Sequence, residues 1–129
     1  MAAVVDALPL VPGLRVFEIG CGPGAAAREV ARRVQPDGHV LAIDRSATAI
    51  ALASAQAVPG LTFRQATIET FTLDPDEPPY DLAFAVRVGA LDGRHPDLEQ
   101  AALERIAAAL TPNGRFFLDG GDPLREVSL

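Results

Sequence analysis

The chain contains no lysine and no tryptophan, and it has one cysteine, two histidines and an aromatic fraction of only 5%. Without lysine, neither a Schiff-base nucleophile nor a phosphate-binding Walker lysine is available. One cysteine forms no internal disulfide, and with two histidines it is too few for an ordinary structural zinc site, so we expect no metal. The scarcity of aromatic rings also argues against a stacking platform for nucleic acid.

Basic residues are also few: the chain has eleven basic and seventeen acidic residues, so its formal net charge is −6. A partner with a phosphate backbone requires a positive surface, so nucleic acid is disfavoured.

No apolar run reaches the roughly 18 residues of a membrane span, and we expect no membrane partner. Residues 1–10 are apolar without leading basic residues. They predict a short helix, not a signal peptide, and the expected compartment is the cytoplasm.

The 129 residues predict a single domain over 1–129, in which short apolar runs alternate with helix-like segments. The predicted strands are residues 15–19, 40–43, 61–65, 82–86 and 115–118. The predicted helices between them are residues 25–34, 46–57 and 97–110. Strands separated by helices of this length indicate βαβ units, and hence an α/β fold with an open parallel sheet and helices on both faces.

The most informative motif is EIGCGPG at residues 18–24, where the first strand ends and a helix begins. Glycines permit a sharp turn and let a ligand approach the main chain, while the helix start offers free N–H groups. About twenty residues later, Asp44 ends the second strand, where a carboxylate can accept hydrogen bonds from ribose hydroxyls. Gly20, Gly22 and Ala25 also satisfy the dinucleotide pattern, so an NAD-dependent oxidoreductase remains an alternative.

Together with three further segments, this motif resembles the class I S-adenosylmethionine-dependent methyltransferases. The segments are VLAIDRS at 40–46, YDLAFA at 80–85 and LTPNGRFFL at 110–118, and the resemblance runs from about residue 14 to 118. It implies a Rossmann-like sheet with strand order 3-2-1-4-5, S-adenosylmethionine as cofactor, and methyl transfer to a small-molecule acceptor that the sequence does not identify.

The resemblance also implies roles for individual residues in binding the cofactor. Gly20 and Gly22 would lie against its methionine portion and ribose, and Glu18 near its ammonium group. Asp44 would hold the ribose, and Cys21 is a small residue that fits inside the loop. On the remaining walls, Arg45 and Ile68 would flank the adenine, Thr67 would face the adenine amino group, and Ala85 would close the pocket near the methyl group.

Two departures from the family pattern bear on activity. Thr67 stands where the family often has an aspartate, and a neutral hydroxyl should bind the adenine amino group more weakly. The family normally continues after the fifth strand into an antiparallel hairpin, and we expect no such element here. A non-catalytic domain or subunit that binds S-adenosylmethionine or S-adenosylhomocysteine is therefore a second alternative.

Candidates for contact with the acceptor follow the fourth strand. Arg87 could hold an anionic substrate, His95 could act as a general base, and Asp92 lies at the same edge. A base is needed only if the acceptor must lose a proton, so no catalytic residue is assigned from sequence.

The fifth strand, residues 115–118, predicts an interface. As the last strand it would expose an apolar edge that lacks lysine and internal proline, two common devices against edge pairing. We therefore expect a homodimer through this edge.

Overall fold

The structure, a computed structural model, describes residues 2–129 and consists of four α-helices and six strands in one sheet. The helices are α1 (Ala2–Ala7), α2 (Ala25–Arg33), α3 (Ala47–Ser54) and α4 (Pro96–Ala109). The strands are β1 (Arg15–Ile19), β2 (His39–Asp44), β3 (Leu61–Gln65), β4 (Tyr80–Ala85), β5 (Leu110–Asp119) and β6 (Leu124–Val127). A single 3-10 turn, Ile68–Thr70, follows β3. Met1 of the predicted N-terminal helix lies outside the described residues.

The strand order is β3-β2-β1-β4-β5-β6, and the first five strands are parallel. This confirms the predicted α/β class and the order 3-2-1-4-5. Side chains alternate between the two faces of the sheet, so that Phe17 belongs to the core beneath α4 while its neighbour Val16 packs towards α1 and α2. Helices therefore cover both faces, as a parallel sheet requires.

Local sequence explains where the helices begin. At α3, the hydroxyl of Ser46 accepts a hydrogen bond of 3.1 Å from the N–H of Ala49, as expected for an N-cap serine. At α4, Pro96 occupies the first turn, where its missing N–H costs nothing. None of the helices in residues 2–129 is long and apolar enough to cross a membrane.

The C-terminal segment corrects one prediction. The sequence predicts no antiparallel hairpin after the fifth strand, but β6 forms there and pairs antiparallel with β5, with Phe117 opposite Glu126. The side chain of Glu126 also accepts hydrogen bonds of 2.8 and 3.0 Å from Arg115. The fifth strand is therefore paired on both sides and is not an open edge. The expectation of an uncovered edge, from which the homodimer was predicted, is wrong. The homodimer itself stays a prediction.

The start of β5 differs from the prediction as well. Leu110 pairs with Tyr80 and Arg115 pairs with Leu82, so residues 111–114 bulge out between two paired positions. These residues form an irregularity inside a longer strand, because the chain pairs with β4 again after it.

We expect Ile106→Ala to lower the free energy of unfolding by about 2–5 kcal/mol, because Ile106 is completely buried between α4 and the sheet and its loss leaves a cavity. Leu52→Ala, on the exposed side of α3, is the matched control and should change stability by less than about 0.5 kcal/mol. Urea unfolding measures both. Equal effects would contradict the placement of α4 over the core.

Candidate functional site

A cavity of about 280 Å³ lies at the carboxyl ends of the parallel strands, where ligands bind in open α/β sheets. Its wall combines the ends of β1 and β2, the segment after β3, the segment after β4 and the start of α4. The residues that line it are Ile19, Gly20, Ile43, Asp44, Arg45, Ala66, Thr67, Ile68, Glu69, Arg87, Val88, Gly89, Ala90, Arg94, His95 and Leu98. Chain topology thus joins residues that are up to 79 positions apart.

The glycine loop after β1 is tied to the end of β2. The N–H groups of Gly20 and Cys21 both donate to the carbonyl of Ile43, at 2.8 and 2.9 Å. The carboxylate of Asp44 accepts hydrogen bonds of 2.9 Å from the N–H of Gly22 and 2.9 Å from the N–H of Ser46. Asp44 therefore holds the loop and the start of α3 in place while it lines the cavity.

All three glycines of the loop have backbone conformations that favour glycine, with φ of 74° at Gly20, 53° at Gly22 and 90° at Gly24. A Cβ on Gly20 would lie 2.6 Å from Cγ2 of Val88, so a side chain there would collide with the opposite wall. A Cβ on Gly22 would meet no atom within 4 Å. Gly22 therefore needs glycine for its φ, while its Cβ would face open space.

Glu18 is the one acidic or basic residue among the described residues that is buried, with 5% of its surface exposed. Its Oε1 atom has no hydrogen-bond partner among residues 2–129. Burial, and to a lesser degree the negative charge of Asp44, raises the pKa of Glu18 to about 8. The side chain is therefore largely protonated at neutral pH, and a nearby cation would favour its ionised form.

The pKa of the Cys21 thiol is raised for similar reasons. Burial, and then the charges of Glu18 and Asp44, raise it to about 12. A protonated thiol is a poor nucleophile, which agrees with a small residue that fits within the loop.

The structure brings some of the predicted cofactor residues to the cavity wall and places others elsewhere. Gly20, Asp44, Arg45, Thr67 and Ile68 line the cavity. The remaining predicted residues, Glu18, Cys21, Gly22 and Ala85, are close in sequence to the wall but do not line it. Ala85 is fully buried in the core, and residues 87–90 after it form that part of the wall.

The three residues predicted to contact the methyl acceptor also differ in their position relative to the cavity. Arg87 and His95 line the cavity, whereas Asp92 does not and instead pairs with Arg94 at 2.8 Å. Arg94, which sequence reasoning missed, lines the cavity and donates a hydrogen bond of 2.9 Å to the carbonyl of Arg87. No local pattern distinguishes Arg94 from a surface arginine, because its role depends on how the segment after β4 folds back.

A second carboxylate atom without a partner among the described residues is Oδ1 of Asp119, at the end of β5. Asp119 lies two strands from Glu18, and its charge raises the pKa of Arg94, after the larger effect of Asp92.

Comparison with known proteins identifies the family. Residues 16–114 match the model of a family described as "Methyltransferase domain". Trans-aconitate 2-methyltransferase of Methylobacterium nodulans is 35% identical over 127 residues, which are 98% of this chain and 46% of that protein. Protein-L-isoaspartate O-methyltransferase of Methylorubrum extorquens is also 35% identical, over 95% of this chain and 49% of that protein.

A solved structure agrees with these relatives. An S-adenosylmethionine-dependent methyltransferase from Mesorhizobium loti superposes with a TM-score of 0.66 at 28% identity, covering 89% of this chain and 50% of that chain. The chain thus spans at most half the length of these proteins. The nicotinamide alternative is set aside, because the matching family and both relatives are methyltransferases, and the solved structure is named as dependent on S-adenosylmethionine. The chain belongs to the class I S-adenosylmethionine-dependent methyltransferases.

Proposed function

We propose that this chain binds S-adenosylmethionine in the cavity at the carboxyl ends of β1 and β2 and transfers its methyl group to a small-molecule acceptor. The observation that carries the proposal is the wall of this cavity, to which Gly20 and Asp44 both contribute from the adjacent ends of the paired strands β1 and β2. A glycine that permits close approach and a carboxylate at the next strand end are what a ribose-containing ligand requires.

The residues present fit the cofactor at both ends. Asp44 retains acceptor capacity for ribose hydroxyls, because each carboxylate oxygen has a second lone pair beyond its bond to Gly22 or Ser46. Glu18 does not line the cavity, but it is next to Ile19 of the wall, and its unpartnered Oε1 would accept a hydrogen bond from the ammonium group directly or through a water. Ile68 supplies an apolar surface for the adenine, with Thr67 and Arg45 beside it.

The cofactor supplies a methyl group that is already activated by a positively charged sulfur. The chain therefore has to hold the two reactants in line and exclude water between them. The segment of residues 87–95 is suited to the acceptor side, because it borders the cavity opposite Arg45 and carries two arginines and a histidine.

We expect Asp44→Ala to weaken binding of S-adenosylhomocysteine by about 1.5–3 kcal/mol, the contribution of hydrogen bonds to a charged group. Because Asp44 also anchors Gly22, part of this loss would come from a looser glycine loop. Isothermal titration calorimetry measures the dissociation constant. Asp76→Ala, in an exposed turn, is the control and should bind like the wild type. Unchanged affinity in a folded Asp44 variant would remove Asp44 from the site.

The raised pKa of Glu18 predicts a pH-dependent stability. The folded chain keeps this proton up to about pH 8, whereas the unfolded chain loses it near the ordinary value of 4.5. Folding therefore takes up a proton in this window, and the free energy of unfolding contributed by Glu18 falls as the pH rises from 4.5 to about 8. Glu18→Gln removes this dependence, so the variant should be more stable than the wild type at pH 8 and similar at pH 5.

Thermal unfolding at the two pH values measures this difference. With saturating S-adenosylhomocysteine, whose ammonium group would stabilise the ionised Glu18, the advantage of the variant at pH 8 should shrink or reverse. Glu104→Gln, on the exposed side of α4, is the control and should leave the pH dependence unchanged. Parallel pH profiles for wild type and Glu18→Gln would show that Glu18 ionises normally.

Methyl transfer itself is tested with radiolabelled S-adenosylmethionine and a panel of small acceptors. The names of the two relatives make trans-aconitate and an isoaspartyl peptide sensible first compounds. We expect label in an acceptor with the wild type and much less with Asp44→Ala. Tight S-adenosylhomocysteine binding without transfer to any acceptor would instead favour the non-catalytic binding domain.

A further inference from the structure

The segment between β4 and α4, residues 86–95, carries positive charge into the cavity of a chain whose net charge is −6. Arg87 and Arg94 both line the cavity there, together with His95. The carboxylates that line the same cavity are those of Asp44, at the end of β2, and Glu69, after β3, at the other end of the wall. The end of the cavity beside β4 is therefore the one suited to an anion.

The two arginines of this segment have different surroundings. Arg94 is neutralised, because its Nε lies 2.8 Å from Oδ2 of Asp92, and Asp119 adds a further negative charge nearby. Its Nη2 donates a hydrogen bond of 2.9 Å to the carbonyl of Arg87. Arg94 thus links Asp92 to the backbone of Arg87 and positions this part of the segment.

Arg87 is exposed, and among residues 2–129 no carboxylate lies within 4 Å of its guanidinium group. It is also the one described residue other than glycine with a positive φ, at 55°. An arginine in this left-handed region is strained, and such strain persists where the surrounding structure holds it, often at functional sites. The hydrogen bond from Arg94 to the carbonyl of Arg87 helps to keep the backbone of Arg87 in this conformation.

We propose that Arg87 binds a carboxylate of the methyl acceptor, so that the substrate is a small carboxylic acid; this rests on the proposed function. One planar guanidinium matches one planar carboxylate with two parallel hydrogen bonds. A phosphate group, with more charge and more oxygens, would need further donors, and Arg94 is already engaged by Asp92 and by the carbonyl of Arg87.

A carboxylate acceptor also fits the absence of an assigned base. A carboxylic acid is ionised at neutral pH, so its oxygen can attack the methyl carbon directly. The electron pair of that oxygen forms the new C–O bond, and the pair of the breaking C–S bond stays on the sulfur. The sulfonium becomes a neutral thioether, the carboxylate becomes a methyl ester, and no proton is released. His95 then needs no role as a base.

The proposal is tested by titrating the full chain, saturated with S-adenosylhomocysteine, with acetate, succinate, citrate and benzoate in ligand-observed NMR. Their uncharged amides and inorganic phosphate are titrated in parallel. We expect at least one carboxylate to bind in preference to its amide and to phosphate. Arg87→Gly, which removes the guanidinium group and suits the positive φ, should weaken that binding about ten-fold or more. Arg87→Lys should retain part of it, and Arg105→Gln, on the exposed side of α4, should retain all of it.

Binding of S-adenosylhomocysteine is measured for each variant, which separates this proposal from the function on which it rests. If S-adenosylhomocysteine binds but no carboxylate does, or if amides or phosphate bind as well as the acids, the carboxylate assignment is overturned and the cofactor site stands. Carboxylate binding that survives in Arg87→Gly would likewise overturn the role of Arg87. If S-adenosylhomocysteine does not bind the wild type, the proposed function fails and this proposal fails with it.

Discussion

The carboxylate of Asp44 is the contact on which the site depends. Its two oxygens accept one N–H from the glycine loop after β1 and one from the start of α3, so two connections of the fold are held by a single side chain at the end of β2. Both N–H groups lie near chain reversals, where the backbone has few partners of its own. Asp44 therefore organises the glycine loop and is also the residue expected to bind the ribose. Losing its side chain would disturb both the conformation of the loop and the binding of the ligand.

Glu18 shows what such a site requires before a ligand arrives. A carboxyl group that is almost fully buried and has an unpartnered oxygen lowers the stability of the chain whenever it is ionised. Its raised pKa reduces this cost, because the group keeps its proton. A bound cation supplies the missing partner, so the same burial that destabilises the ionised carboxylate would strengthen its attraction to an ammonium group.

The cavity wall opposite Arg45 is organised by different means. No regular element covers residues 86–95, and their conformation depends on side chains: Asp92 holds Arg94, and Arg94 holds the carbonyl of Arg87. A further hydrogen bond of 3.1 Å, from the N–H of His95 to the carbonyl of Gly89, closes the segment at the start of α4. The strained backbone of Arg87 is supported by these contacts, and Arg87 lines the cavity.

Local patterns in the sequence were enough to establish the α/β class, the parallel sheet, and the placement of Gly20 and Asp44 at adjacent strand ends. These features depend on short-range rules: apolar runs form strands, glycines allow the turn, and consecutive βαβ units bring strand ends to one edge. The pairing of β6 with β5 was decided only in the tertiary structure, because residues 124–127 become a strand through contact with a neighbour and carry no strong pattern of their own. The burial of Glu18 was likewise decided by packing between segments distant in sequence. The strained φ of Arg87 depends on a side-chain network that includes the hydrogen bond from Arg94 to its carbonyl, and no local pattern encodes either feature.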